Sequence, residues 1–353
     1  AEDGIRDAQE SRGLGDVYKR QASKLVNREP DFRFTRKLRL AASELGEFDR
    51  AALEQFKKGV IYEYEFFDDC CCLVEADEEP PKQADEEALE VALKIALMCN
   101  AHIFDELAVM RKIVIDGSNV SGFQRTMLIA ENGKVDIGNK EVDIQTIVLE
   151  EDAARPMKKE GNKIVYRLDR LGIPLIEIAT APQLKTPQEV KLCALKIGEL
   201  LRRTCKAKRG LGTIRQDINI SIKNGARIEL KGVQELELID KYVENEVKRQ
   251  LALLEIKEEL AKRKLSEKEL RLDYKDLGEL FKETQCKIIA SGLSRGKHVF
   301  GIKLSKFAGL IGKELQPGRR FGTELADYIK ARHGLGGLFH SDELPKYGIT
   351  ERE

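Results

Sequence analysis

The chain has 353 residues, room for two or three domains with real cores. Lysine plus arginine (61) equals aspartate plus glutamate (61), so net charge favours neither nucleic acid nor a membrane surface. The charged fraction of 35% suggests long solvated helices, and no apolar run approaches the ~20 residues of a membrane span.

Seven cysteines, an odd number without C-x-x-C spacing, argue against a disulfide or zinc framework and for reduced thiols in the cytoplasm. Residues 1–21 lack apolar periodicity and an initiator Met. The string S-R-G-L-G-D-V-Y-K-R-Q resembles a translated sequencing adapter, so this stretch is expected to stand outside the fold and the true N-terminus to be missing. A helix is predicted over Phe48–Lys58, stopped by Gly59. Residues 60–75 read as a strand running through Cys70, Cys71 and Cys72. Beyond Pro80-Pro81, Leu89, Ala92, Leu93, Ala96 and Leu97 mark one face of a helix from Asp85 to about His102, with His102 as a helix-dipole partner.

Short antiparallel strands follow at Lys112–Ile115, Gly122–Ala130 and Val142–Glu151, with Asn132-Gly133 read as a turn. The last strand closes on Glu150-Glu151-Asp152, which is either a solvated strand end or a set of oxygen ligands for a hard divalent cation. Glu177 stands alone in the apolar strand Leu175–Ala179; half-buried, it would need a basic partner or a metal. Thr186, Pro187 and Glu189 carry N-cap, first-turn and capping-box signals for a helix whose stripe is Val190, Cys193, Ala194, Ile197, Leu200 and Leu201. It ends in Arg202, Arg203, Lys206, Lys208 and Arg209, where a cluster can serve the helix terminus or meet phosphates.

From Thr213 to Ile222 apolar and polar residues alternate, so Ile214, Ile218, Ile220 and Ile222 share one strand face, and Arg215, Asp217, Asn219 and Ser221 the other. Keeping faces matched with the return strand requires a three-residue loop, Lys223-Asn224-Gly225, with Gly225 left-handed. That register sets Ser221 by Arg227, Asn219 by Glu229 and Asp217 by Lys231. Helical spacing then runs from Gln234 to about Lys264, and 266–275 reads as a linker. A second, smaller α+β domain is expected from Asp276. It has a helix at Leu277–Glu283, strands near Cys286–Ala290 and Gly296–Ile302, and a helix from Phe321 to about His333.

Motif absences narrow the chemistry. There is no G-x-x-x-x-G-K-[ST], G-x-G-x-x-G after a strand, H-E-x-x-H or G-x-S-x-G, and none of the four His stands beside a plausible nucleophile. Carboxylates, Asn and Arg/Lys on one sheet face fit Mg²⁺-assisted handling of a phosphorylated substrate better.

Several long motifs occur in order: D-E-L-A-V-M-R-K-I-V-I-D-G-S-N at 105–119, S-G-F-Q-R-T at 121–126, L-E-E-D-A-A-R at 149–155, Y-R-L-D-R-L-G-I-P-L-I-E-I-A-T-A-P at 166–182, R-G-L-G-T-I-R-Q-D-I-N-I-S-I at 209–222 and E-L-K-G-V-Q-E-L at 229–236. They resemble the catalytic cradle of the GatB/GatE amidotransferase family, and the D-A-A-R, R-L-D-R-L-G and K-G-V-Q-E-L variants resemble its archaeal E branch. Residues 322–327 and 334–350 resemble the insertion domain of bacterial-type aspartyl-tRNA synthetases. The resemblance implies an α+β chain. A mainly antiparallel cradle with flanking helices (22–265) would precede the linker and a smaller α+β insertion domain (276–353) that is cut short.

It further implies ATP-dependent conversion of Glu-tRNA(Gln) to Gln-tRNA(Gln) through a γ-phosphorylated glutamyl group. Ammonia would come from an asparaginase-like amidotransferase partner, GatD, in a heterotetramer with two copies of each protein. Carried over by position, Glu150 or Glu151, Glu177 and Asp217 are the expected Mg²⁺ ligands. Asp217, Glu177, Arg215 and Lys231 are the expected catalytic set, and Arg215, Asn219, Ser221 and Arg209 the ATP contacts, with Lys231 open to a purely structural ion pair. A G-L-E-I-H type segment of the family is absent, so the chain as written is expected to be inactive. A non-catalytic tRNA- or partner-binding module is the alternative, as is a B-type relative acting on Asp-tRNA(Asn) or Glu-tRNA(Gln).

Overall fold

The structure is a computed structural model. It describes Tyr18 and residues 25–38, 46–210, 212–270 and 273–353. The chain divides into two compact units, Ala1–Gln216 and Asp217–Glu353. The reading of residues 1–21 as adapter-like lies mostly outside the described residues. Tyr18 is inside them, and its ring is buried, 4.9 Å beneath the Arg125 guanidinium.

The first unit holds two sheets. The smaller contains β1 (Phe32–Lys37), β2 (Ile61–Phe66), β7 (Arg155–Glu160) and β8 (Lys163–Arg167) in the order β1-β2-β8-β7, with β2 and β8 parallel. Helix α1 (Arg50–Lys57) leads into β2 and is capped by Asp49, which accepts from Ala52 N–H. The larger sheet is antiparallel: β3 (His102–Ile103) and β4 (Val109–Ile113) both pair with β5 (Phe123–Asp136), followed by β6 (Glu141–Glu151) and β9 (Pro174–Thr180). Helices α2 (Glu86–Met98) and α3 (Pro187–Arg203) cover one of its faces. They bury Ile95, Ala96 and Cys193 against Met127, Ile129, Ile147 and Leu149. The Thr186 cap forms as predicted, accepting from Glu189 N–H at 3.2 Å, while Glu189 reaches back to Lys185 N–H.

Several local expectations are corrected. Cys70–Cys72 lie in turns after β2, not in a strand, with Cys70 and Cys71 buried. His102 pairs in β3 rather than ending α2, and Leu97 is exposed. β5 continues through Asn132-Gly133. The reason is tertiary: a Cβ on Gly133 would stand 3.0 Å from the Ala101 Cβ, so glycine serves close packing there, not a turn.

In the second unit, β10 (Gln216–Ile220, beginning at the unit boundary) pairs with β11 (Ile228–Val233). The alternation holds: Ile218, Ile220 and Val233 are buried, while Asp217, Asn219 and Ser221 are exposed. The left-handed residue of the connection is Asn224 (φ 66°), not Gly225. Gly225 is needed for another reason: a Cβ there would meet the Gln250 side chain at 2.4 Å. Gln250 belongs to α4 (Ile239–Lys262), against which the hairpin packs. Beyond it, β12 (Tyr274–Asp276) pairs with β13 (Phe300–Ile302). Residues 278–283 are turns rather than a helix, and the strand expected near Cys286–Ala290 is α5 (Lys287–Ser294). β14 (Glu314–Gln316) and β15 (Arg319–Arg320) precede α6 (Phe321–His333). Ala252 and Ile256 of α4 pack with Leu310 and Leu315.

Candidate functional site

Register decides which carboxylates of the larger sheet can act together. Val148 pairs with Glu177, and Glu150 with Leu175. Glu150 and Glu177 therefore share a face as diagonal neighbours, roughly 7–8 Å apart at the backbone and within reach for two long side chains. That face is the one opposite the helices. Thr126 pairs with Glu150, and Lys112 with Gln124, so both rows continue it.

Glu150 is buried and held from three sides. Lys112 Nζ lies 3.3 Å from Oε1, Thr126 Oγ1 donates at 3.3 Å, and Gln124 Nε2 donates at 3.2 Å to Oε2. Sequence reading missed these three residues, whose signal is present only as parity along β4 and β5. Glu177 is exposed rather than half-buried, and among the described residues it makes no ion pair, so it needs none. Its carboxylate is accessible to solvent.

Glu151 belongs to a different environment. It points to the helix-covered face and is fully buried. Arg125 forks onto it, Nε to Oε1 at 3.0 Å and Nη2 to Oε2 at 2.8 Å, and the Arg125 backbone N–H adds a third bond at 2.9 Å. Burial pushes its pKa above the usual carboxylate range, opposed by Arg125. Its oxygens are thus committed, and it does not fit the ligand role that the sequence left open between it and Glu150.

A loop between β4 and β5 frames this end of the sheet. Three tyrosine hydroxyls donate to consecutive carbonyls: Tyr62 to Ile115 at 3.4 Å, Tyr166 to Asp116 at 2.9 Å and Tyr64 to Gly117 at 2.7 Å. Ser118 carbonyl accepts from Ala154 N–H just past the Glu150–Glu151 strand end. A cleft of about 250 Å³ between β5 and α3, lined by Lys134, Lys196 and Arg203, lies on the helix-covered side, away from the Glu150–Glu177 face.

The remaining expected residues divide between the units. Arg209 and Arg215 are in the first and exposed. Asp217, Asn219, Ser221 and Lys231 are in the second, all exposed. Asp217 accepts from Gly232 N–H at 2.7 Å and lies 3.7 Å from Lys231 Nζ, which is also 3.3 Å from Glu229. Among the described residues no three His, Cys or acidic side chains are gathered as ligands of one ion. Glu150 and Glu177 are nevertheless the donor type that a hard divalent cation takes, and they are presented on one face.

The first unit thus presents a paired-carboxylate face, and the second a polar hairpin followed by smaller α+β elements. Residues 39–296 match the family model of the GatB/GatE catalytic domain, and residues 289–353 that of the GAD domain. The chain belongs to the GatB/GatE family. It is similar to the E subunit of glutamyl-tRNA(Gln) amidotransferase from Pyrococcus furiosus (57% identical over 323 residues), from Methanocaldococcus jannaschii (56% over 327) and from Saccharolobus solfataricus (57% over 334). These alignments cover 92%, 92% and 93% of this chain, which spans about half the length of the relatives (51%, 51% and 52%).

Proposed function

We propose that this chain carries the phosphorylating and amide-forming centre of a GatE-type glutamyl-tRNA(Gln) amidotransferase. The observation that carries the proposal is the diagonal pairing of Glu150 with Glu177 on the face of the larger sheet opposite the helices. A free carboxylate is a poor electrophile. Transfer of the γ-phosphoryl group of ATP to the glutamyl γ-carboxylate releases ADP and gives an acyl phosphate. Ammonia then attacks the acyl carbon and inorganic phosphate leaves, forming the amide of Gln-tRNA(Gln).

Glu150 and Glu177 would hold Mg²⁺; the cation would neutralise phosphate charge during transfer. Lys112, Gln124 and Thr126 fix the Glu150 carboxylate so that little reorganisation is needed on loading. Arg209 and Arg215, exposed in the first unit, would supply donors for phosphate oxygens. Ammonia would be delivered by an asparaginase-like partner of the GatD type in a two-plus-two assembly, in the cytoplasm.

The test uses the full-length protein with its amidase partner, Mg²⁺, ATP and Glu-tRNA(Gln), reading glutamine released from the tRNA. Glu150→Gln and Glu177→Gln should each lower the rate by ~100-fold or more, the scale of losing one preorganised electrostatic group. A rate within threefold of the parent for both variants rules the metal site out.

A further inference from the structure

A chain of buried and partly buried polar side chains, all within the second unit, ties the β10–β11 hairpin to α6. Gln250 of α4 donates from Nε2 to the Ile220 carbonyl on β10 at 3.4 Å and to Glu246 Oε1 at 2.9 Å. Arg249 forks onto the same carboxylate, Nη2 to Oε1 at 3.0 Å and Nε to Oε2 at 2.8 Å. Its remaining nitrogen, Nη1, donates to Glu324 in the first turn of α6, at 3.2 Å to Oε1 and 3.0 Å to Oε2. Gln250 is 3% exposed and Glu246 6%. Among the described residues Arg249 is the one cation paired with Glu246.

These links do not come apart one at a time. A carboxylate as buried as Glu246 is stable only while its charge is matched and its oxygens are bonded. Arg249 does both, and Glu324 holds the far side of the Arg249 guanidinium. If α6 moved, Arg249 would have to follow it or lose Glu324, and following it would strand Glu246. Glu246 in turn sets Gln250. The Gln250 Oε1 is buried with no hydrogen-bond partner among the described residues, so the amide is held from its Nε2 side alone. That same oxygen lies against the hairpin turn, 2.4 Å from where a Cβ on Gly225 would stand. A shift of Gln250 therefore reaches both the β10 main chain and the turn.

We propose that Glu324 and Arg249 latch the hairpin, so that the position of α6 sets the conformation of β10 and β11. The latch joins the two family models: α6 lies in the stretch matched by the GAD domain, the hairpin and α4 in the stretch matched by the catalytic domain. Asp217 and Asn219, on the exposed face of β10, are the side chains it positions. Nothing in it depends on the amide-forming reaction, because the test contains neither ATP nor aminoacylated tRNA.

The test is hydrogen–deuterium exchange of the 353-residue chain, read on peptides from the hairpin and from α6. Glu324→Gln removes the charge at the end of the chain of bonds farthest from the hairpin. It should speed exchange of the β10 and β11 amides by about tenfold, the scale of one charge-assisted hydrogen bond. Gln250→Leu cuts the link to Ile220, and in that background Glu324→Gln should change hairpin exchange by less than about twofold. Glu255→Gln is the control. It breaks an exposed pair with Lys313 that also joins α4 to the residues before β14, off the latch, and should leave the hairpin within about twofold of the parent. In the unaltered chain, the hairpin and α6 amides should open as one unit with one urea dependence, a readout that does not depend on how the variants fold. Unchanged hairpin exchange in Glu324→Gln, or an equal effect of that change with and without Gln250, would overturn the proposal. So would an effect of Glu255→Gln as large as that of Glu324→Gln, or separate opening of the hairpin and α6 in the unaltered chain.

Discussion

Glu150 and Glu177 stand diagonally across β6 and β9, one clamped by three donors and the other exposed. If they serve one cation, their substitutions should not add. The double variant Glu150→Gln/Glu177→Gln should lose no more glutamine-forming activity than the worse single one. Independent roles would give the product of the two losses. Glu177→Gln should leave stability within about 0.5 kcal/mol of the parent in urea unfolding, because the side chain is exposed.

Arg125 tests the buried pair on the opposite face. Arg125→Met leaves the Glu151 carboxylate buried without its fork and should cost about 3–5 kcal/mol by urea denaturation. Arg125→Met combined with Glu151→Met removes the stranded charge and should recover most of that loss. If the double variant is no more stable than the single, the ion pair is not the source of the cost.

Gly117 sits at φ +81°, and a Cβ there would lie 2.3 Å from the Tyr62 ring. Gly117→Ala meets both strain and a clash with a buried ring, and should destabilise by about 2–4 kcal/mol. Gly138→Ala, also at positive φ but with no neighbour within 4 Å of the added methyl, should cost only the backbone strain.

Alkaline stability should follow the tyrosines. Burial, with the nearby Asp116 carboxylate and Tyr62, pushes the Tyr166 hydroxyl up to about 12; burial and the neighbouring Tyr166 raise Tyr64 further. A pKa raised on folding means the fold favours the protonated phenol. That contribution is complete below the unfolded value near ~10 and is lost as pH climbs through about 12. Urea midpoints should hold to about pH 10 and fall between about 10 and 12, with a smaller fall in Tyr166→Phe. Ultraviolet absorbance of tyrosinate should show phenols that ionise only as the fold is lost.

Asp217 distinguishes structure from chemistry. Its bonds to Gly232 N–H and Lys231 are exposed, so Asp217→Asn should change stability by less than about 1 kcal/mol. In the complete enzyme the same change should lower glutamine formation by ~100-fold. Unchanged activity would leave Asp217 as a hairpin residue only.

Much of this was written in local patterns. The Thr186-Pro187-Glu189 start of α3 and the Ile rows of β10 depend on neighbours a few positions away, and both formed as the sequence indicates. What depended on distant partners was illegible. Alternation says that Glu150 and Glu151 diverge, but only pairing with β5 and β9 tells which faces Glu177 and which meets Arg125. Gly225 and Gly133 look like turn residues, yet the space they leave is taken by Gln250 and Ala101. Cys70–Cys72 carry a strand-like composition, but β2 ends at Phe66.

The three phenols over the β4–β5 loop all donate to main-chain oxygens. Such a clamp does not read the side chains of the residues it grips. Ile115 can therefore change without loosening it, while Tyr62, Tyr64 and Tyr166 cannot, and Asp116 is held to its type by the turn in which it accepts from Ser118 N–H and Oγ–H. Mutational tolerance around this end of the sheet should be lopsided: permissive at Ile115, and strict at Gly117 and in the sheet that holds the loop.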